Sequence, residues 1–159
     1  MVHDTNASET ALDPDSLGDD DITYGDWQSP TGAWIEVSID TKIWPDALVN
    51  SFQQTALKIF DEILAAHDLS QASVSLCLCD DQQIQKINRQ HRQFDKATNV
   101  LSFPAYDMRR DKIDPTVPVL LGDIIIAAET VVREADVMRI PVTDHLVHLF
   151  VHGMLHLFG

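Results

Sequence analysis

The spacing of apolar residues predicts a chain in which strands and helices follow one another. Alternating apolar positions predict strands at 34–39 and 72–79. A short apolar strand at 99–103 is stopped by Pro104, because proline cannot donate a hydrogen bond within a sheet. A continuous apolar run predicts a buried strand over 119–127. Four strands are therefore expected.

Between these strands, apolar residues at helical spacing predict four helices. They are expected at 45–66, after a cap at Asp80 or Asp81, at 128–138, and from Pro141 onward. The last helix is apolar nearly all round, which predicts that it lies in the core. Strands that alternate with helices, with one close strand pair, predict an α/β fold with a mixed four-stranded sheet packed with helices.

The first thirty residues differ in composition from the rest of the chain. The chain has 159 residues, of which 45% are hydrophobic, as expected of one globular domain. Residues 1–30 instead hold eight acidic residues, no Lys or Arg, and few large apolar groups. Such a composition cannot bury enough surface to offset chain entropy. We predict a disordered acidic extension at 1–30 and a folded domain at 31–159.

The net charge of −14 at first disfavours a nucleic-acid partner, because phosphate binding depends on Lys and Arg. The eight acidic residues of 1–30 contribute −8, however, and −14 less −8 leaves −6 for the remainder. The stretch 86–112 carries seven basic and three acidic residues and is therefore locally positive by four. A nucleic-acid partner remains compatible with this uneven distribution.

Cysteine content and apolar runs indicate the compartment. No apolar run approaches the roughly 18 residues of a membrane span, and the first residues lack the basic start and apolar stretch of a secretion signal. We therefore expect a cytoplasmic protein with no membrane partner. Cys77 and Cys79 share one face of a predicted strand and are poorly placed to pair with each other. We expect buried free thiols.

Four histidines lie toward one side of the last predicted helix: His145, His148, His152 and His156. His152 and His156 are separated by about 6 Å along the axis and about 40° around it, which suits two ligands of one tetrahedral ion. Core histidines that hydrogen-bond to carbonyl groups are the alternative. Gly153 stands where an H-E-x-x-H zinc peptidase has its glutamate, which disfavours a metallopeptidase.

Three blocks of this sequence resemble the YbeY family. His148–Gly159 reads HLFVHGMLHLFG and is similar to the family signature H-L-x-V-H-G-x-L-H-L-x-G-Y-D-H. Ile87–Arg92 (INRQHR), which leads into Thr98–Pro104 (TNVLSFP), and Leu121–Ile124 (LGDI) also agree with the family. The resemblance covers about Ile35 to Gly159.

The resemblance implies a zinc site on the last helix. It assigns His152 and His156 as the first two of three zinc-binding histidines. The family signature continues past Gly159 with Tyr, Asp and the third histidine. Because a catalytic zinc normally has three protein ligands, we expect these 159 residues to form an incomplete site, to bind metal weakly and to be inactive on their own.

Other site residues follow from the same resemblance. It assigns Arg92 as the catalytic residue that holds the scissile phosphate, with a solvated surface arginine as the alternative. It implies that Asp123 lies near the metal cleft, with a capping role as the alternative, and that His148 hydrogen-bonds beside the metal ligands. The chain departs from the family pattern at Gln93, Phe94 and Ala97, where Gly-Lys and a proline are usual, and this weakens the expectation of phosphate binding.

The resemblance implies a zinc-dependent endoribonuclease specific for single-stranded RNA. Its expected role is late processing of the 16S rRNA precursor and ribosome quality control at the small ribosomal subunit, with no DNA partner. One alternative is a non-catalytic ribosome assembly factor whose metal braces the fold. Another is a different metal-dependent hydrolase. Imidazole also accepts nickel, copper or iron, so the spacing alone does not select the metal.

Overall fold

The computed structural model describes residues 21–159, which form a mixed five-stranded sheet and four helices. The strands are β1 (Ile22–Gln28), β2 (Ala33–Asp40), β3 (Ala72–Cys79), β4 (Val100–Pro104) and β5 (Val119–Ala127). The helices are α1 (Asp46–Ala66), α2 (Asp81–Arg92), α3 (Ala128–Met138) and α4 (Val142–Leu157). The strand order is β1-β2-β3-β5-β4. The two outer pairs are antiparallel and the two inner pairs are parallel.

The predicted mixed α/β fold is confirmed, but the sheet has five strands and not four. The additional strand, β1, lies within the segment 1–30 that was predicted to be disordered, so that boundary is wrong for residues 22–28. β1 pairs along its whole length with β2, and only Trp27 of the strand is buried. This edge strand is therefore held by backbone hydrogen bonds, and its sequence has no alternating apolar pattern from which a strand could be predicted. Residues 1–20 lie outside the described residues.

The two faces of the sheet are covered differently. Leu76 and Leu78 of β3 belong to a large core shared with α1 and α4, whereas Cys77 and Cys79 belong to a smaller core beneath α2. Since successive side chains of a strand point to opposite faces, α4 and α2 pack on opposite sides of the sheet. Both cysteines are buried and free, as predicted.

The last helix is anchored by one apolar face. Its buried residues include Phe150, whose ring meets that of Phe52 of α1 edge-to-face at 5.6 Å between centroids. The opposite side of α4 is exposed at His148, His152 and His156. The prediction of a core helix is therefore right for one face only. Among residues 21–159, no helix has the length and apolar character needed to cross a membrane.

Candidate active site

The two histidines predicted as metal ligands lie side by side on the exposed face of α4. The Nε2 atoms of His152 and His156 are 3.1 Å apart, and the ring planes are inclined by 75°. Each nitrogen points toward the same small space, as the one-turn spacing on a helix requires. The pair is therefore available to a ligand and is not committed to the core.

A glycine between the two histidines sets the distance from α4 to the sheet. A Cβ atom on Gly153 would lie 3.1 Å from Cγ2 of Ile124 on β5, which is tighter than ordinary van der Waals contact. The absence of a side chain thus lets the helix approach β5 closely. This close approach holds the histidine pair beside the edge strand β4.

Arg92 reaches the same strand from the other side of the sheet. It is the last residue of α2, and its Nη2 atom donates a hydrogen bond of 2.9 Å to the carbonyl oxygen of Ser102 on β4. Its guanidinium carbon also lies 5.1 Å from the ring centroid of Phe103. These two contacts hold the guanidinium in one orientation, which leaves its other N–H groups available to an anion.

The arginine and the histidine pair line one cavity at the β4 edge. This cavity has a volume of about 230 Å³, and its remaining wall is built by residues of β4: Val100, Leu101, Ser102 and Pro104. Two elements from opposite faces of the sheet therefore meet over a short edge strand. A fixed cation and two imidazoles in one open cavity are suited to an anionic substrate such as a phosphodiester.

The geometry of the pair fits two ligands of a zinc ion. Two imidazole nitrogens bound at about 2.0–2.1 Å to one tetrahedral ion are about 3.3 Å apart. The observed Nε2–Nε2 separation is 3.1 Å. Among the residues that the structure describes, no group of three or more His, Cys, Asp or Glu is arranged to hold a metal. The two Nε2 atoms on this one helix are thus spaced as two zinc ligands would be.

A hydrogen-bond network, which the sequence analysis did not predict, holds the N-terminal turn of α4. The buried His145 donates from Nε2 to Oε1 of Glu134 on α3 at 3.0 Å, and Nδ2 of Asn99 donates to the same oxygen at 2.9 Å. Partial burial raises the pKa of Glu134, but these two hydrogen bonds, together with electrostatic attraction to His145 and Arg133, outweigh it and hold the pKa below the usual value. The network connects α3, α4 and the residue that precedes β4. His145 therefore stabilises the packing of these elements.

The structure does not bring Asp123 to the histidine pair. Asp123 follows Gly122 on β5, and Ile124 is the residue that faces α4, so Asp123 points to the opposite side of the sheet. There it hydrogen-bonds with Ser75 of the neighbouring strand β3. Asp123 is not among the residues that line the cavity with Arg92 and the histidine pair, and its expected place near the metal cleft stays a prediction. His148 is exposed, and its ring lies parallel to that of His145 at 6.1 Å.

Asp123 gives a pH-dependent prediction. Burial raises its pKa above the ordinary 3.8, the hydrogen bond with Ser75 opposes the rise, and the charge of Glu36 adds to it. A raised carboxyl pKa destabilises the fold above the folded-state pKa, and this cost disappears as the pH falls below the unfolded value. We therefore expect Asp123→Asn to raise the free energy of unfolding at pH 7, with a gain that shrinks on acidification.

Urea unfolding at several pH values measures this gain. Glu62→Gln, on the exposed side of α1, is the matched control, because it also removes one negative charge from a chain of net charge −14. Its effect is expected to be smaller and to lack the same pH profile. A stabilisation by Asp123→Asn that is equal at pH 7 and pH 4, or that Glu62→Gln reproduces, would contradict the argument.

The fold and the cavity together define a class of protein. It is a mixed α/β protein whose cavity at an edge strand holds an arginine and an H-x-x-x-H pair, as suits a candidate hydrolase for anionic substrates. The model of the family described as Endoribonuclease YbeY matches residues 38–159. The chain is 44% identical over 131 residues to the endoribonuclease YbeY of Allorhizobium ampelinum, covering 79% of this chain and 76% of that one. The Sinorhizobium medicae counterpart is 40% identical with the same coverage.

Two further similarities are more limited. The endoribonuclease YbeY of Rhodospirillum rubrum is 52% identical over 86 residues, which are 54% of this chain and 43% of that one. A solution structure of a Thermotoga maritima protein aligns with a TM-score of 0.47 and 23% identity, over 69% of this chain and 66% of that one. The match to residues 38–159 and the relatives above 30% identity show that the chain belongs to the YbeY endoribonuclease family.

Proposed function

We propose that this protein is a metal-dependent endoribonuclease that cuts single-stranded RNA, with zinc held by His152 and His156. Its proposed role is late processing of the 16S rRNA precursor at the small ribosomal subunit, and ribosome quality control, in the cytoplasm. The observation that carries the proposal is the 230 Å³ cavity in which Arg92 and the two imidazoles meet. Membership of an endoribonuclease family supports RNA as the substrate.

In the proposed mechanism, Arg92 binds the phosphate, and His152 and His156 hold the metal. A zinc ion in such a site supplies Lewis acidity, which polarises a phosphoryl oxygen and lowers the pKa of a water. Arg92 binds the phosphate through the N–H groups that Ser102 does not use and stabilises the extra negative charge that develops during attack. His152 and His156 would hold the metal through their Nε2 atoms. The open β4 edge admits a flexible single strand more easily than a stiff duplex.

The positions of His152 and His156 favour a catalytic metal over a structural metal that only stabilises the fold. A metal that only braces a fold joins separate elements, as structural zinc sites do. Both described ligands instead belong to α4, which is already anchored through Phe150 and Gly153. Both rings are exposed and line the same cavity as Arg92. A bracing role would not require that arginine.

The proposal predicts a graded response at Arg92. Arg92→Ala removes the phosphate contact and is expected to lower kcat/KM for single-stranded RNA by about 10²–10³-fold. Arg92→Lys keeps the charge but loses the planar fork, so a smaller loss of about 10-fold is expected. The measurement is cleavage of a labelled single-stranded RNA by the protein as its gene encodes it, loaded with zinc, with folding followed by circular dichroism.

Lys58→Ala is the matched control for Arg92→Ala. It removes one cation from the exposed side of α1, remote from the cavity, and is expected to leave cleavage unchanged. If the zinc-loaded protein folds but does not cut RNA, the assembly-factor alternative replaces the nuclease. If it cuts and Arg92→Ala cuts equally well, the phosphate-binding role of Arg92 is overturned.

A further inference from the structure

Phe94 is an aromatic side chain that the fold leaves in solvent. Its side chain is 61% exposed, and it follows α2 directly after Gln93, which has the left-handed backbone conformation typical of a helix end. It lies two residues beyond Arg92, which lines the candidate active-site cavity. An exposed phenylalanine this close to a cavity for RNA is placed to contact a nucleotide base.

The turn that carries Phe94 is held by three hydrogen bonds. The backbone N–H of Phe94 donates to the carbonyl oxygen of Asn88 at 3.3 Å. Nδ2 of Asn88 in turn donates to the carbonyl oxygen of Lys96 at 3.0 Å, and Nε2 of Gln85 donates to Asp95 at 3.1 Å. Little backbone freedom is left to lose when a ligand binds. The ring is therefore presented at a low entropic cost.

A second exposed aromatic side chain lines a cavity that includes His156 of the histidine pair. Tyr106 is 42% exposed and lines a neighbouring cavity of about 380 Å³. This cavity shares His156 and Pro104 with the cavity that contains Arg92. Phe94 precedes β4 in the chain, two residues after Arg92, whereas Tyr106 follows β4 and lines the cavity that includes His156.

Basic and acidic side chains both lie near the two rings, and Asp107, which lines the cavity of Tyr106, pairs with Arg110 at 3.5 Å. The ammonium group of Lys96 lies 6.0 Å from the centroid of the Phe94 ring. Arg109 and Arg110 follow Tyr106 closely. The whole chain nevertheless has a net charge of −14, which opposes the approach of a phosphate backbone. Stacking on an aromatic face does not depend on that charge, so it offers affinity that electrostatics alone does not supply here.

We infer that Phe94 and Tyr106 are base-stacking platforms for single-stranded RNA, one on each side of the phosphodiester held at Arg92 and the histidine pair. This inference rests on the proposed function for the location of the cleaved phosphate. Stacking explains why two large aromatic rings remain exposed beside the cavity. Since every base has an aromatic face, the platforms bind single strands with little sequence preference and exclude a duplex, whose bases are already stacked.

Binding of RNA in the presence of a chelator tests the inference without cleavage. Fluorescence anisotropy compares a labelled 12-nucleotide RNA with an abasic oligonucleotide of the same length and charge. Loss of one base stack corresponds to about 5- to 100-fold weaker binding. We expect this loss for Phe94→Leu and for Tyr106→Leu with the RNA but not with the abasic strand. Phe94→Trp is expected to retain tight binding.

Tyr24→Leu is the control for the loss of an exposed aromatic ring. Tyr24 is 69% exposed on β1, the edge strand opposite to β4, and its replacement is expected to leave RNA binding unchanged. Equal losses with the RNA and the abasic strand, equal losses for Tyr24→Leu, or no RNA binding at all would overturn the platforms. A protein that binds as expected but cuts nothing when loaded with zinc would overturn the proposed nuclease activity and leave the platforms standing.

Discussion

Replacement of His152 with alanine is expected to remove zinc binding and RNA cleavage while the protein remains folded. His152 is exposed and supplies one of two imidazoles whose Nε2 atoms are 3.1 Å apart, so its loss halves the described ligand set. Changing a residue that only supports a ligand typically costs about 10- to 100-fold in metal affinity, so loss of a ligand itself is expected to cost more than about 100-fold. Cleavage should fall by at least about 10³-fold.

The matched control is His148→Ala, one turn earlier on the same exposed side of α4. It removes an equally exposed imidazole from the same helix, and its ring faces His145 instead of the pair. We expect it to bind zinc and cut RNA as the unaltered protein does. The measurements, made on the protein as its gene encodes it, are competition with a chromophoric zinc chelator and gel-based cleavage. Unchanged zinc affinity in His152→Ala would remove the histidine pair from the site.

The histidine pair was predictable because it depends on local geometry alone. An H-x-x-x-H spacing on any helix places two rings together, whatever the surrounding fold. The meeting of Arg92 with that pair could not be derived from spacing, since α2 and α4 lie on opposite faces of the sheet and converge only at the β4 edge. The resemblance to the YbeY family suggested both residues, and the tertiary structure shows how they meet.

Two differences between expectation and structure have physical causes in the sheet. β1 was missed because an edge strand held by backbone pairing buries only Trp27 and shows no apolar alternation. The resemblance implied a place for Asp123 near the metal cleft, but β5 does not alternate regularly, and Asp123 lies on the face of the sheet opposite to α4. Leu121 and Ile124 are three residues apart, and both face the core shared with α1 and α4. With regular alternation from Leu121, Asp123 would face that core instead of Ile124. The register shift opposite Ser73 and Ser75 marks this β-bulge.

Gly122 makes that bulge, and Gly122→Ala is expected to destabilise the fold strongly. Its φ of +145° lies in a region that residues with a side chain rarely adopt. An added Cβ would also collide with the carbonyl oxygen of Phe103 on β4 and would lie 3.0 Å from Cδ2 of Leu157 on α4. We expect the free energy of unfolding to fall by about 3 kcal/mol, which combines backbone strain with this collision.

Gly25→Ala separates this effect from the general consequence of adding a methyl group to a strand. Gly25 lies on β1, and a Cβ there would meet Cγ1 of Val37 at an ordinary 3.7 Å, so its stability should change by less than about 1 kcal/mol. Urea unfolding of both variants gives the comparison. Equal stability of the two would mean that the bulge tolerates a side chain. A large loss of stability at Gly122 alone would mean that the contact between β5, β4 and α4 requires a glycine. Gly122 would then have two effects: it turns Asp123 away from α4, and it lets α4, which carries the histidine pair, pack against β4.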